Sequence, residues 1–244
     1  MPVSEVRRMS KIKRGVLFIV ILAVFLLASS VGMEYYVVHQ LNGEVTGRNR
    51  PFAALTVEPE DTLDLLVAGD SESYNSVSTM RLWDDKGITT YDCGQGAQRI
   101  PETYYMLKHA FKKQSPKIVI LETNTLFRDI GAVKSTQEIL TQAGQYYLPV
   151  FRYHNLWKTV VDEPEMHTNY KGFVIRDEVD PYEGKPDYMK KQKKCETMPE
   201  YVKVYLEKIE ELCEKNNAQL LLVSMPSPKN WNHKRHAEIQ KYAD

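Results

Sequence analysis

The chain has 244 residues and a mass of 28.2 kDa, with 43% hydrophobic and 26% charged residues. These values are typical of one globular domain and argue against a long disordered tail. Lys and Arg number 32, as do Asp and Glu, so the formal charge is zero, which disfavours a nucleic-acid binder that neutralises many phosphates.

The N-terminal segment combines cations with an apolar run. Residues 1–14 contain five Lys and Arg residues against Glu5 alone, so residues 15–244 hold 27 basic and 31 acidic groups. Residues 15–33 are 19 residues without a charge or a polar face. As a helix they extend over about 28 Å, close to the hydrocarbon thickness of a bilayer. We expect one membrane span, with residues 1–14 in the cytoplasm and the body outside.

Two interpretations of this span stay open. Residues 16–28 also have the length of the hydrophobic region of a signal peptide, and Ala28, Ser29 and Ser30 are small residues near a potential cleavage site. We favour an uncleaved signal anchor. Both interpretations place the folded body beyond the membrane.

Cysteine usage agrees with either interpretation. Cys93, Cys195 and Cys213 are too few for a disulfide scaffold, and their spacing does not resemble a structural zinc site. A disulfide between Cys195 and Cys213 is one alternative. We expect instead that the cysteines are free thiols.

The body alternates short apolar strands with helices. Residues 34–60 are predicted to be a linker, because glycines and prolines interrupt them, and the folded domain is expected over 61–244. Strands are predicted at 63–69, 88–92, 117–122 and 220–225, and helices at 74–85, 102–113, 199–216 and 231–244. This alternation predicts an α/β fold with a mainly parallel sheet between two helical layers. Residues 128–198 break the rhythm and are interpreted as an insertion that shapes or covers a cleft.

Three predicted strands end in residues suited to acyl-ester chemistry. Gly69-Asp70-Ser71 follows the first strand, a glycine-containing loop through Gly96 and Ala97 follows the second, and Asn124 follows the third. The carboxyl ends of parallel strands meet at one crevice, where ligands bind. A hydroxyl, free backbone N–H groups and a carboxamide there would supply a nucleophile and oxyanion donors. Ser71 as a simple helix cap is the competing interpretation.

In these blocks the sequence resembles the SGNH, or GDSL-like, hydrolase superfamily. The resemblance implies a three-layer α/β/α sandwich with Ser71 as the nucleophile. Its own N–H, the N–H of Gly96 or Ala97, and the side chain of Asn124 would then form the oxyanion hole. The family's chemistry requires no metal or organic cofactor. An anchor followed by such a domain also resembles extracytoplasmic proteins that work beside membrane-bound O-acyltransferases on bacterial surface polymers.

The sequence departs from the family pattern in three places. Glu72 follows Ser71 where many members have Leu or His, and Glu122 occupies the glycine position of the third block. The Asp-x-x-His block that supplies the catalytic base is absent, because none of the six histidines has an Asp three positions earlier. We expect this block to follow Asp244 in a longer protein. The less favoured alternative is that His233, His236 or His154 serves as the base.

The resulting hypothesis is an extracytoplasmic serine esterase or O-acyltransferase that acts on acyl esters of a cell-envelope polysaccharide or related polymer. Its expected partners are that polymer, the membrane and a membrane-bound O-acyltransferase, and not nucleic acid. The alternative is a non-catalytic accessory protein that binds a polymer or an acyltransferase in the same cleft. We interpret the lysines at 190, 191, 193 and 194 as a solvated surface. We interpret the aromatic residues of the insertion as packing residues.

Overall fold

The computed structural model describes residues 11–161, 170–179, 181–184 and 196–244. Four strands are formed: β1 (Leu65–Ala68), β2 (Thr90–Asp92), β3 (Ile118–Glu122) and β4 (Gln219–Val223). Ten helices are described: α1 (Lys11–His39), α2 (Arg50–Val57), α3 (Ser71–Ser76), α4 (Thr79–Lys86), α5 (Ile100–Ala110), α6 (Ala132–Tyr147), α7 (Pro149–Arg152), α8 (Leu156–Val161), α9 (Glu200–Lys215) and α10 (His233–Ala243). A 3₁₀ helix, Thr123–Phe127, follows β3.

The four strands form one parallel sheet in the order β2-β1-β3-β4. The register pairs Val67 with Asp92 on one side and Ala68 with Leu121 on the other. Every residue of β1 is buried, as a central parallel strand requires. The predicted α/β class and parallel sheet are therefore confirmed, and the ends of β2, β1 and β3 lie side by side.

The helices follow the predicted order with one division. The predicted helix 74–85 is two helices, α3 and α4, because the chain turns at Val77 and the hydroxyl of Ser78 caps α4 by accepting a hydrogen bond from Arg81 N. The predicted insertion contains α6, α7 and α8, and its residues 162–169, 180 and 185–195 lie outside the described residues.

The segment 34–60 is more ordered than the predicted linker. The helix α1 continues past the apolar run to His39, and α2 begins with Pro51 in its first turn. Phe52 and Leu55 of α2 are buried in the main core. Their side chains pack inward at helical spacing, so α2 belongs to the folded domain.

The main core lies between the sheet and two long helices. Leu66 and Leu121 of the sheet are fully buried together with Met106 of α5 and Leu206 of α9. Cys93 and Cys213 are buried free thiols, and Cys195 lies outside the described residues. Burial raises the pKa of the Cys213 thiol to about 12, so this thiol is unreactive at neutral pH.

The helix α1 is long and apolar enough to cross a membrane, and it is near the N-terminus. Its C-terminal part contacts the domain: Val37 is fully buried with Val45, Ala53 and Tyr153. The N–H of Val150 in α7 also donates to the hydroxyl of Ser30, at 3.3 Å. The domain thus begins to contact α1 before the apolar run 15–33 has ended.

Candidate active site

Ser71 is the first residue of α3 and follows the end of β1. The connection requires glycine at position 69, since a Cβ there would lie 2.4 Å from Cβ of Glu122. The Ser71 side chain is half-buried, and within the described residues its hydroxyl has no hydrogen-bond partner. Its backbone N–H is at the start of a helix, where it has no intrahelical acceptor. Both groups are therefore available to a ligand.

Asp70, and not Ser71, caps α3. Its Oδ1 accepts from the N–H of Glu72 at 2.9 Å, and the side chain is fully buried. Its Oδ2 accepts from Nδ2 of Asn124 at 2.7 Å and forms an ion pair with Arg128. The interpretation of Ser71 as the side-chain cap is therefore incorrect, because Asp70 supplies that oxygen.

Asn124 lies in the 3₁₀ helix that follows β3, and it is 6% exposed. Its backbone N–H donates to the side chain of Glu122, and its Oδ1 accepts from Arg235 of α10 at 2.8 Å. Because Nδ2 carries two hydrogens and Asp70 accepts one, the second is available to another acceptor. The carboxamide is thus fixed in orientation and keeps one donor.

The loop after β2 is fixed through Asp92. Its Oδ1 accepts from the hydroxyl of Ser73 at 3.0 Å and from the N–H of Gly94 at 2.7 Å. A Cβ at Gly94 would lie 2.0 Å from Oγ of Ser73 and 3.0 Å from the carbonyl oxygen of Asp70, so only glycine allows this approach. The loop is therefore held directly against the start of α3.

Gly96 and Ala97 form the exposed tip of the same loop. Within the described residues, neither N–H has an acceptor, while the carbonyl of Gly96 accepts from Arg48 at 2.7 Å. Arg48 in turn pairs with Glu102, which also accepts from Gln95 at 2.9 Å. These contacts fix the tip and leave two N–H donors exposed to solvent.

Two buried carboxyl groups near the site have raised pKa values. Burial, and then the negative charge of Asp70, raises the pKa of Glu122 to about 8. Burial raises the pKa of Asp92 to about 7, although its hydrogen bonds from Gly94 and Ser73 act in the opposite direction. Glu122 therefore keeps its proton to higher pH than an exposed glutamate does, and protonation limits its repulsion with Asp70.

No histidine hydrogen-bonds to Ser71 within the described residues. His109 contacts Thr56, with 2.9 Å between its Nε2 and Oγ1, and burial lowers its pKa to about 3. His154 bonds to the carbonyl of Phe151 at 2.7 Å. His233 and His236 are exposed on α10, and His167 lies outside the described residues.

The loop before α10 contacts the residue that follows Ser71. The side chain of Asn230 donates to the carboxylate of Glu72, and Arg235 donates to the carbonyl of Asn230. Arg235 also pairs with Glu196. The start of α10 is thus part of the surroundings of Ser71.

The structure brings Asp70, the loop 92–97 and Asn124 together around the start of α3. Sequence reasoning did not identify Arg48, Arg128 or Arg235 as part of this arrangement, because none belongs to a motif. Among the described residues, no group of three or more His, Cys, Asp or Glu side chains is placed to hold a metal ion. The predicted lysine cluster lies outside the described residues.

Comparisons with family models, with curated proteins and with solved structures give no match.

Proposed function

We propose that this chain is an extracytoplasmic serine esterase or O-acyltransferase of the SGNH type, acting on acyl esters of a cell-envelope polysaccharide or related polymer. The observation that carries the proposal is the hydrogen bond of 2.7 Å between Asn124 and Asp70. Because Asp70 precedes Ser71 in the chain, this bond supports a site in which the unused carboxamide donor lies near Ser71, whose hydroxyl has no partner within the described residues. A nucleophile next to amide donors is what acyl transfer needs.

In the proposed reaction, the hydroxyl of Ser71 attacks the ester carbonyl carbon and loses its proton to a base. The carbonyl oxygen becomes an oxyanion that accepts hydrogen bonds from the N–H of Ser71, the N–H of Gly96 or Ala97, and Nδ2 of Asn124. Collapse of this intermediate breaks the ester C–O bond, and the alcohol leaves with a proton from the base. Water or a second alcohol then removes the acyl group from Ser71.

The base is the component that this proposal still requires. The contact of Asn230 with Glu72 brings the start of α10 near Ser71, so His233 and His236 are the candidates that the described residues offer.

The proposal includes a single-pass anchor, α1, with its basic N-terminus in the cytoplasm and the domain outside. It also includes a three-layer α/β/α sandwich. The strand order β2-β1-β3-β4 supports the sandwich, because it matches the first four strands of the flavodoxin-like order.

The test is covalent labelling of Ser71 by a fluorophosphonate, which reacts with activated serines. The protein is made with Ser71→Ala and, as a matched control on the exposed end of α3, with Ser76→Ala. We expect labelling and ester hydrolysis in the Ser76→Ala variant and neither in Ser71→Ala. Absence of labelling in the Ser76→Ala variant would contradict an activated Ser71.

A non-catalytic accessory protein is the second candidate. It is favoured by the absence of an Asp-x-x-His block from residues 1–244 and of a histidine bonded to Ser71 within the described residues. This function predicts no labelling of Ser71. It also predicts binding of an acylated envelope polymer that Ser71→Ala leaves unchanged, as measured by calorimetry.

A further inference from the structure

The outward face of α6 and the adjoining α7 carry an exposed apolar surface. Val133 is 83% exposed, Leu140 is 67% exposed and Phe151 is 44% exposed. They border an open groove of about 820 Å³ whose other lining residues are uncharged, namely Thr136, Gln137, Thr141, Gly144 and Gln145. A soluble protein rarely leaves a continuous apolar surface uncovered, so this face needs an explanation.

The position of the groove relative to α1 provides that explanation. Val150, next to Phe151, donates its N–H to Ser30, which is 4% exposed. Ser30 lies three residues before the end of the apolar run 15–33. At the helical rise per residue, this contact is about 4–5 Å inside the end of the apolar segment. The end of the groove at Phe151 therefore lies level with the last residues of the apolar segment 15–33, and not beyond the end of that segment.

The charges of α6 are arranged consistently with this placement. The helix has only two charged residues, Lys134 and Glu138. Glu138 points toward the domain, where it pairs with Arg99 at 2.6 Å. Charged groups are costly in hydrocarbon, and none lines the groove.

We propose that the outer leaflet of the bilayer covers this groove, with Phe151 and Leu140 in contact with phospholipid. The proposal rests on the membrane anchoring proposed above and is independent of the esterase activity. Lipid is the occupant because Phe151, at one end of the groove, belongs to α7, which contacts α1 at Ser30, and α1 exposes Val24 and Val31. The domain is then held by α1 and also by α7, which fixes its orientation on the membrane surface.

The test measures contact with lipid directly. The full chain, with Cys195→Ser, is placed in phosphatidylcholine nanodiscs at one chain per disc, and a fluorescent thiol probe is attached at Leu140→Cys or Phe151→Cys. Cys93 and Cys213 are buried, and burial raises the pKa of both thiols, so they do not react. Acyl chains are brominated at a series of depths, from near the headgroup to the chain end, and each quenches a probe only on contact.

Two control positions make the result interpretable. A probe at Val24→Cys reports the anchor itself, and a probe at Val204→Cys, 40% exposed on α9, reports an apolar surface position away from α1. We expect brominated lipid to cause a loss of fluorescence at positions 140 and 151 approaching that at position 24, with little loss at position 204.

Other outcomes overturn the proposal in distinguishable ways. In one such outcome the probe at position 24 is quenched, but the probes at 140 and 151 lose no more fluorescence than the probe at 204. This result would contradict lipid contact at the groove and leave the membrane anchor intact. No quenching at position 24 would contradict the anchoring. A second set of discs holds two chains each. If lipid quenches the two groove probes no more than the probe at position 204, and their fluorescence changes only in the two-chain discs, the groove is assigned to a second copy and the proposal is overturned.

Discussion

The carboxamide nitrogen of Asn124 donates a 2.7 Å hydrogen bond to Oδ2 of Asp70, 54 positions earlier in the chain. This bond joins the end of β3 to the turn that carries Ser71. Because Arg235 occupies Oδ1 of the same carboxamide, the amide group cannot rotate without losing two hydrogen bonds. The donor proposed for the oxyanion is thus fixed before substrate binds, which is the condition for electrostatic stabilisation of a transition state.

Replacement of Asn124 by alanine removes this donor. We expect Asn124→Ala to lower kcat of ester hydrolysis by about 10²- to 10³-fold with little change in KM, since the oxyanion forms only in the transition state. The measurement is steady-state kinetics on a soluble aryl ester. Asn155→Ala, at an exposed asparagine before α8, is the control and should leave kcat unchanged. An Asn124→Ala enzyme with normal kcat would remove Asn124 from the oxyanion hole.

The charge of Asp70 is expected to stabilise the site. Asp70→Asn keeps the size of the side chain but leaves Arg128, which is partly buried, without its ionic partner. We expect a loss of about 1.5–3 kcal/mol in the free energy of unfolding, the range for hydrogen bonds to charged groups. Urea unfolding followed by circular dichroism measures it. Asp85→Asn, which removes an exposed partner of Arg81, should cost less than about 1 kcal/mol.

The sequence alone predicted the strands and helices whose residues have a recognisable local pattern. Apolar runs predicted β1, β3 and β4, and β-branched and aromatic residues predicted β2. The residues after β1, β2 and β3 converge because parallel strands end at one edge. The helix α2 was missed, since it has only eight residues and lies between glycines and prolines that suggested a linker. The helix is ordered because Phe52 and Leu55 are buried in the main core, and this burial is a tertiary contact that the local sequence does not reveal.

The arginines around the site illustrate the limit of sequence reasoning. Arg235 lies 111 positions after Asn124, next to two histidines and a lysine that suggest only a solvated helix. Its contact with Asn124 follows from the position of α10 beside the 3₁₀ helix, and no spacing in the sequence encodes that position. Identification of such partners required the packed structure.

The stability of the domain should depend on pH through Glu122. Burial and the charge of Asp70 raise the pKa of Glu122 from 4.5 to about 8 in the folded state. The unfolded chain therefore loses this proton at lower pH than the folded chain does. The contribution of Glu122 to the free energy of unfolding is full below pH 4.5 and is lost as the pH rises toward 8, by up to about 1.4 kcal/mol per pH unit.

The Glu122→Gln variant isolates this contribution. Glutamine keeps an oxygen for the N–H of Asn124 but does not titrate. We expect urea unfolding between pH 5 and pH 8 to show a smaller decrease in stability for Glu122→Gln than for the natural chain. Part of the decrease should persist, because burial also raises the pKa of Asp92 to about 7. Identical pH profiles for the two proteins would show that Glu122 is ionised in the folded state.

Two glycines of the loop after β2 are expected to respond differently to alanine. At Gly94 the new Cβ would lie 2.0 Å from Oγ of Ser73 and 2.8 Å from Oδ1 of Asp92, both of which are held by hydrogen bonds. At Gly96 the nearest atom is the hydroxyl of Tyr74 at 3.7 Å, an ordinary contact distance. Gly94→Ala should therefore lower the free energy of unfolding by about 1–3 kcal/mol, the cost of overpacking, and Gly96→Ala should change it little. Thermal unfolding of both variants measures the difference.

Because Gly94→Ala also displaces Ser73 at the start of α3, it should reduce fluorophosphonate labelling of Ser71 even at temperatures where the variant is folded. Equal stability and equal labelling of the two variants would contradict the close contact between this loop and α3.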